Sequence, residues 1–401
     1  MSPSDDPDAR DPLAPFRDLF VGSEQPLVYF DGNSLGRPLR ATGPRLAEFV
    51  EGEWGGRLIR GWDERWFDLP EVIGDDLGRV VLGAGPGQTV VGDSTTVLLY
   101  KAMRGAVAAR PGRTEIVLDR DNFPTDRYVA DGVARECGLT LRWIEVDTAG
   151  GVEADLLAEA VGPQTALVLL SHVAYRSAHL ADARELTRIA HDAGALVLWD
   201  LSHSVGSVPV ELDAWDVDLA VGCTYKYLNG GPGAPAFVYV AERLLDEVTQ
   251  PVQGWMGATD PFLMGPDYRP AAGVRRMLSG TPPVIGMLAM QDMLCLLEKA
   301  GMDAVRAKSV ALTEHAIALA DSRLPGVSVA SPREPSRRGG HVTLNHPAMR
   351  EVTAALWAQD VIPDYRDPHG LRLGLSPLST SFAEVESGLE SVRVTLERLT
   401  A

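Results

Sequence analysis

From about residue 88 onward, short apolar runs alternate with stretches of helical period, and this alternation leaves few folds open to the chain. "QTVVG" leads into "TTVLLYKAMRGAVAAR", where Val97, Leu98, Leu99, Ala102, Met103, Ala106 and Val107 keep helical spacing. Then come "EIVLD" (115–119), "LRWIEV" (141–146), "TALVLLS" (165–171), "ALVLWD" (195–200), "LAVGC" (219–223) and "PAFVYV" (235–240). Helix-like segments such as "ADARELTRIAHDAG" separate several of them. Apolar strands divided by helices indicate an α/β sheet, largely parallel and covered on both faces. After about residue 285 the rhythm changes to two long helical stretches and then a smaller α/β unit. That unit reads as strand "GHVTLNH", helix "AMREVTAALWAQD", strand "GLRLGL" and a last helix opening at Ser381, with Glu384 placed for a capping box. The expected division is an N-terminal segment 1–45 packed on one domain, a large α/β domain 46–285 and a small C-terminal α/β domain 286–401.

Composition narrows the partners. A chain of 401 residues is long enough for two cores. Its net charge of −18 repels phosphate backbones and anionic membrane surfaces, so neither nucleic acid nor membrane is expected as a partner. The opening "MSPSDDPDARDPLAPF" is acidic and proline-rich, unlike a targeting peptide, and no apolar run has the length of a membrane span. Cys137, Cys223 and Cys295 are widely spaced with no CxxC pair. That argues against a disulfide framework or a metal site and fits a reducing cytoplasm.

In open α/β sheets ligands bind beyond the carboxyl ends of the strands, so the polar residues there are the candidates. "GDSTT" (92–96) runs from a strand into a helix, where hydroxyls and free N–H groups suit a phosphate, or simply cap the helix. Phe123 and Asp126 in "FPTD" set an aromatic ring near a carboxylate, and Ser171 ends another strand. Asp200 ends the run in "WDLSHSVG" with His203 three positions on, an arrangement that also suits a braced loop. Lys226 sits between Tyr225 and Tyr227 at the end of the next strand, where a buried ammonium is costly unless the site uses an amine. A lysine, an acid, a phosphate cradle and an aromatic ring at one sheet edge match what pyridoxal phosphate requires: an amine for its Schiff base, a carboxylate for its ring nitrogen and anchors for its phosphate.

The block "WDLSHSVGSVPVELDAWDVDLAVGCTYKYLNGGPG" also resembles the lysine region of the kynureninases, pyridoxal-phosphate enzymes of the aspartate-aminotransferase fold type. "FDGNSLGRPL" (30–39), "WMG" (255–257), "LSGTPP" (278–283) and "LRLGLSPLSTSF" (371–382) continue the resemblance in the family's order. It implies that Lys226 carries the cofactor and moves the α-proton, that Asp200 supported by His203 pairs with the pyridine nitrogen, and that Thr95, Thr96 and Tyr225 bind the phosphate. Phe123 would lie against the ring, with Asp126 beside it and Ser171 among the cofactor contacts. Trp255 and Thr281 would reach the phosphate from the partner of a homodimer. Arg372 would clamp the substrate carboxylate, with Arg366 as the competing candidate. The implied reaction is hydrolysis of L-kynurenine, or its 3-hydroxy form, to anthranilate or 3-hydroxyanthranilate and L-alanine, with Tyr225 relaying protons. Thr281 resembles the bacterial enzymes that favour kynurenine. Two positions depart from the pattern: Ala178 stands where the resemblance leads to glycine, and Gly340 where bacterial relatives tend to have serine. An aminotransferase or a cysteine desulfurase of the same fold, or a catalytically silent ligand-binding homologue, remain the alternatives.

Overall fold

The strands that read as unbroken apolar runs do so because both faces of their sheet are covered. In the strand Leu196–Asp200, Val197 and Trp199 enter one core and Leu196 and Leu198 the other. Thr165–Ser171 divides likewise, with Val168 and Leu170 on one side and Leu167 and Leu169 on the other. The computed structural model describes residues 6–401, so the first five residues of the expected N-terminal segment lie outside it.

Among the described residues the strands in chain order are β1 (Val28–Tyr29), β2 (Thr89–Gly92), β3 (Glu115–Asp119), β4 (Thr140–Ile144), β5 (Thr165–Ser171), β6 (Leu196–Asp200) and β7 (Leu219–Gly222). β8 (Ala236–Val240), β9 (Ser328–Val329), β10 (His341–Asn345), β11 (Val361–Ile362), β12 (Asp364–Arg366) and β13 (Gly370–Gly374) follow. The large sheet has the order β2-β8-β7-β6-β5-β3-β4. Its pairs are parallel except at β8, which runs against both neighbours. The small sheet, β12-β13-β10-β9, is antiparallel throughout. This is the expected α/β architecture, a mainly parallel sheet between helices with a smaller α/β unit after it.

The cores show how the parts are joined. Leu13, Phe20 and Leu39 pack with the large sheet, whereas Val28 and Phe30 enter the core of the small unit. The N-terminal segment therefore fastens both units instead of lying on one. Helix Val284–Ala300 sends Met287, Leu288, Met290, Met293, Leu294 and Leu297 into the large core. Helix Met302–Arg323 crosses over, with Val305 in the large core and Leu312, Ala316 and Ala320 in the small one. We place the division between the units within this crossing helix.

The last helix, Phe382–Thr400, receives a cap from the same N-terminal segment. Ser381 Oγ accepts from the Glu384 N–H at 3.0 Å, as the sequence pattern implied. The Glu384 carboxylate turns away, accepting from the Tyr29 N–H at 2.8 Å and Arg37 Nη2 at 3.1 Å. The Asp8 carboxylate takes the first two helix N–H groups, Phe382 and Ala383, at 2.9 Å each.

Candidate active site

Strand ends β2, β3, β5, β6 and β7 deliver the candidate residues to one edge of the large sheet. Beyond β2 the backbone turns through Asp93 in the left-handed region (φ 47°), and Ser94 caps helix Thr95–Ala108. Thr95 and Thr96 occupy its first turn, where N–H groups have no helical partner and the helix dipole favours an anion. With Tyr225, Gly233, Ala234 and the segment Leu278–Pro283, they line a cavity of about 470 Å³.

A second, smaller cavity shares Thr95, Thr96 and Tyr225 with the first. Its other walls are Phe123, Thr125, Asp126, Ser171, Tyr175, Asp200, Ser202, His203 and Lys226. Ser171 and Asp200 come side by side because β5 and β6 pair in register there. Lys226 is nearly buried; its Nζ lies 2.8 Å from His203 Nε2 and 5.7 Å from the centre of the Phe123 ring. Burial, reinforced by the Lys226 charge, pushes the His203 imidazole well below its usual value, so it stays neutral. Asp200 Oδ1 accepts from the Ser202 N–H at 2.8 Å. Asp126 is fully buried, and burial with the Asp200 charge raises its carboxyl well above the carboxylate range. Ser171 Oγ bonds to Asn122 Oδ1 at 2.8 Å. Tyr225 has its phenol raised by burial, so it keeps its proton. Tyr227 faces the other way, donating to the Gly340 carbonyl at 3.1 Å.

Three expected residues stand apart from this group. Arg372, on β13 directly opposite Asp364 of β12, lines neither cavity. Its Nη1 donates to the Tyr175 carbonyl at 2.5 Å and its Nη2 to Ser34 Oγ at 3.1 Å and to Asp364, leaving Nε buried without a partner. Arg366 holds the same Asp364 carboxylate at 2.9 Å. Trp255 lies outside both cavities, edge-on to Trp62 at 6.5 Å and Phe262 at 6.1 Å. Thr281 lines the first cavity within its own chain, as part of the segment after Leu278 that forms that wall. Tyr175, Thr125 and Ser202 are cavity residues that the sequence did not single out. Tyr175 stands in the loop just beyond β5, where its ring meets Phe123 edge-on at 5.4 Å, and position beyond a strand end was the signal available.

The residues fit pyridoxal phosphate on the structure's own terms. Asp126 Oδ2 and His203 Nδ1 are buried polar atoms without a partner. Two acidic side chains converge where a ring N–H would satisfy them, a helix N-terminus suits a phosphate, and an amine lies over an aromatic face. The fold and this donor set define a pyridoxal-phosphate-dependent enzyme. Among solved structures, the chain is similar to a C-DES mutant with glycine covalently linked to its pyridoxal-phosphate cofactor. That pair is 20% identical with a TM-score of 0.84, covering 94% of this chain and 98% of the other. A cysteine desulfurase from Thermococcus onnurineus is 20% identical with a TM-score of 0.83, covering 96% and 98%. These likenesses show the fold. Residues 305–392 match the model of the kynureninase C-terminal domain. A kynureninase of Pseudomonas fluorescens is 41% identical over 98% of this chain and 94% of its own length. One from Burkholderia pseudomallei is 40% identical over 97% and 94%. The chain belongs to the kynureninase family and is a pyridoxal-phosphate-dependent hydrolase.

Proposed function

We propose that the chain hydrolyses the Cβ–Cγ bond of L-kynurenine to give anthranilate and L-alanine, and that it takes the 3-hydroxy form less readily. The observation that carries the reading is Lys226 Nζ set 2.8 Å from a neutral His203, over Phe123 and beside two buried acids. When bound, the cofactor supplies an electron sink for the carbanion left when the substrate loses its α-proton. Asp200, with Asp126 beside it, would hold a proton on the pyridine nitrogen, which would keep that sink strong. Phe123 would lie against the ring, Ser171 and His203 would be among the cofactor contacts, and Thr95, Thr96 and Tyr225 would take the phosphate. Lys226 removes and returns protons at the substrate's α-carbon, helped by a neutral His203 that accepts instead of repelling. Tyr225, which lines both cavities, relays protons for the later carbon–carbon cleavage. Arg372, whose Nε is buried without a partner, captures the α-carboxylate. Thr281, in the wall of the phosphate cavity, supports the preference for kynurenine. Among the described residues neither cavity is lined by a cysteine, and a desulfurase-type sulfur carrier would need one there.

The working form in this proposal is a cytoplasmic homodimer, with Trp255 at or near the subunit boundary. Three free cysteines support the compartment. No helix among the described residues is long and apolar enough to cross a membrane. Exposed apolar side chains at Leu58, Ile59, Phe262, Leu263 and Met264 support a subunit interface. The deciding experiment supplies the purified protein with pyridoxal phosphate and, in separate cuvettes, L-kynurenine or its 3-hydroxy form. Anthranilate with an equal amount of alanine is expected, with the larger kcat/KM for kynurenine. Lys226→Ala should stay folded and lose at least about 10³-fold in turnover. A keto acid in place of alanine would make the enzyme an aminotransferase, and near-normal turnover by Lys226→Ala would remove the lysine from the chemistry.

A further inference from the structure

Helix Thr95–Ala108 carries a charge on its buried face. Lys101 shares that face with Leu98, Ala102 and Gly105 and has 0% of its side chain exposed. Helical side chains lean toward the N-terminus, so a long lysine here points back toward the loop that precedes its own helix. Its Nζ lies 2.6 Å from Asp93 Oδ2 and 2.9 Å from the Met277 carbonyl oxygen. Asp93 lines the 470 Å³ cavity, and Met277 adjoins another stretch of its lining. Asp93 immediately precedes Ser94, Thr95 and Thr96, and Met277 immediately precedes the Leu278–Pro283 wall.

The charge balance of that cavity is unusual for a phosphate site. Among the described residues no lysine or arginine lines it, and the one charged lining residue is Asp93, a carboxylate. A phosphate resting on the helix N-terminus gains from the N–H groups and hydroxyls, yet it meets a negative charge beside them. A buried ammonium on that carboxylate cancels the repulsion at short range, where screening by water is weak. Burial draws the Lys101 ammonium below its usual value, and the Asp93 hydrogen bond works against that.

We propose that Lys101 is a positioning residue for the cofactor phosphate: it neutralises Asp93 and ties two stretches of the phosphate cavity's lining together. The inference rests on the reading that the phosphate sits at Thr95 and Thr96, and the test separates the two.

Cofactor-stripped protein is titrated with pyridoxal phosphate and, separately, with pyridoxal, which lacks the phosphate. Thermal melting reports on folding. Lys101→Met should raise the Kd for pyridoxal phosphate about 10- to 100-fold while changing that for pyridoxal little, since an unpaired Asp93 repels only the phosphate. The double variant Lys101→Met with Asp93→Asn should recover most of the affinity. Equal weakening of both ligands, no weakening of either, or no recovery in the double variant would overturn the inference. Should Lys101→Met fail to fold, Asp93→Asn decides: affinity for pyridoxal phosphate held or increased supports the role, and a decrease overturns it. The phosphate reading fails on a different result, namely Thr95→Val and Thr96→Val binding pyridoxal phosphate as tightly as the unaltered chain.

Discussion

A carboxyl that is fully buried with one oxygen unpaired is a standing cost to a protein that holds nothing against it, and Asp126 is such a group. Its cost has a sign in pH. The folded-state value lies above the unfolded one, so the folded chain keeps a proton that the unfolded chain has released. The contribution is therefore whole at acid pH and is lost as pH rises through the raised value. Asparagine at this position does not titrate and has no such loss. Cofactor-free Asp126→Asn should melt higher than the unaltered chain, by a margin that widens from pH 5 to pH 8, while the loaded variant loses activity. A margin that narrows with rising pH would show that burial does not govern this carboxyl. Asp119, pushed up to about 7 by burial and then by Asp121, adds to the acid-side preference of the same sheet edge. The stability given up here is the sort of expense a functional site retains.

At the scale of elements, the strands were legible because burial on both faces leaves a continuous apolar run, and strand ends place polar residues at one edge. Direction was not legible. "PAFVYV" is as apolar as its neighbours, and nothing in it shows that β8 runs against them. Nor did pattern reveal that the helix Met302–Arg323 serves two cores, since its apolar positions change partner without changing period. The two departures from the family pattern are explained locally. Ala178 keeps a left-handed backbone (φ 63°) at a cost of about 1–2 kcal/mol. A Cβ on Gly340 would fall 2.1 Å from Ser207 Oγ, so a serine there requires Ser207 to move. Lys226, Asp200, His203, Phe123, Asp126, Ser171 and both threonines came together as the sequence implied, whereas the network around Arg372 did not show in sequence. Asp364 and Arg372 meet only through the β12–β13 register, and Ser34 arrives from the other end of the chain. That network makes a prediction for the pair of strands. Arg372→Ala should raise KM for kynurenine about 10- to 150-fold, the loss of about 1.5–3 kcal/mol for a charged hydrogen bond, with a smaller effect on kcat. Arg366→Ala, which removes only a half-exposed partner of Asp364, should change KM little. The reverse ranking in steady-state kinetics would move the carboxylate site to Arg366.

For the whole molecule, the question is what covers the apolar surface beside the phosphate cavity. Ile59, Leu263 and Met264 are 77%, 72% and 77% exposed, an unusual outlay for side chains of this kind. Leu263 and Met264 follow Phe262, whose ring lies 5.8 Å from that of Phe67 and 6.1 Å from that of Trp255, and Trp255 meets Trp62, three residues beyond Ile59. The neighbourhood also reaches the cavity, because Met256, next to Trp255, donates its N–H at 3.1 Å to the carbonyl of Ser279, a lining residue. A second copy of the chain seated here would bury apolar surface and narrow the cavity mouth together, and assembly and cofactor retention would then be coupled by mass action. A stable interface of this kind buries about 1,600 Å² in total, enough that two charged substitutions near its centre should break it. The unaltered chain should run at twice its chain mass in light scattering, whereas the Ile59→Asp, Leu263→Asp double variant should run as a single chain and bind pyridoxal phosphate more weakly. If the unaltered chain is a single chain at micromolar concentration, the exposed patch has another purpose. If the double variant separates but binds cofactor as before, the cavity is complete in one chain, as the position of Thr281 allows.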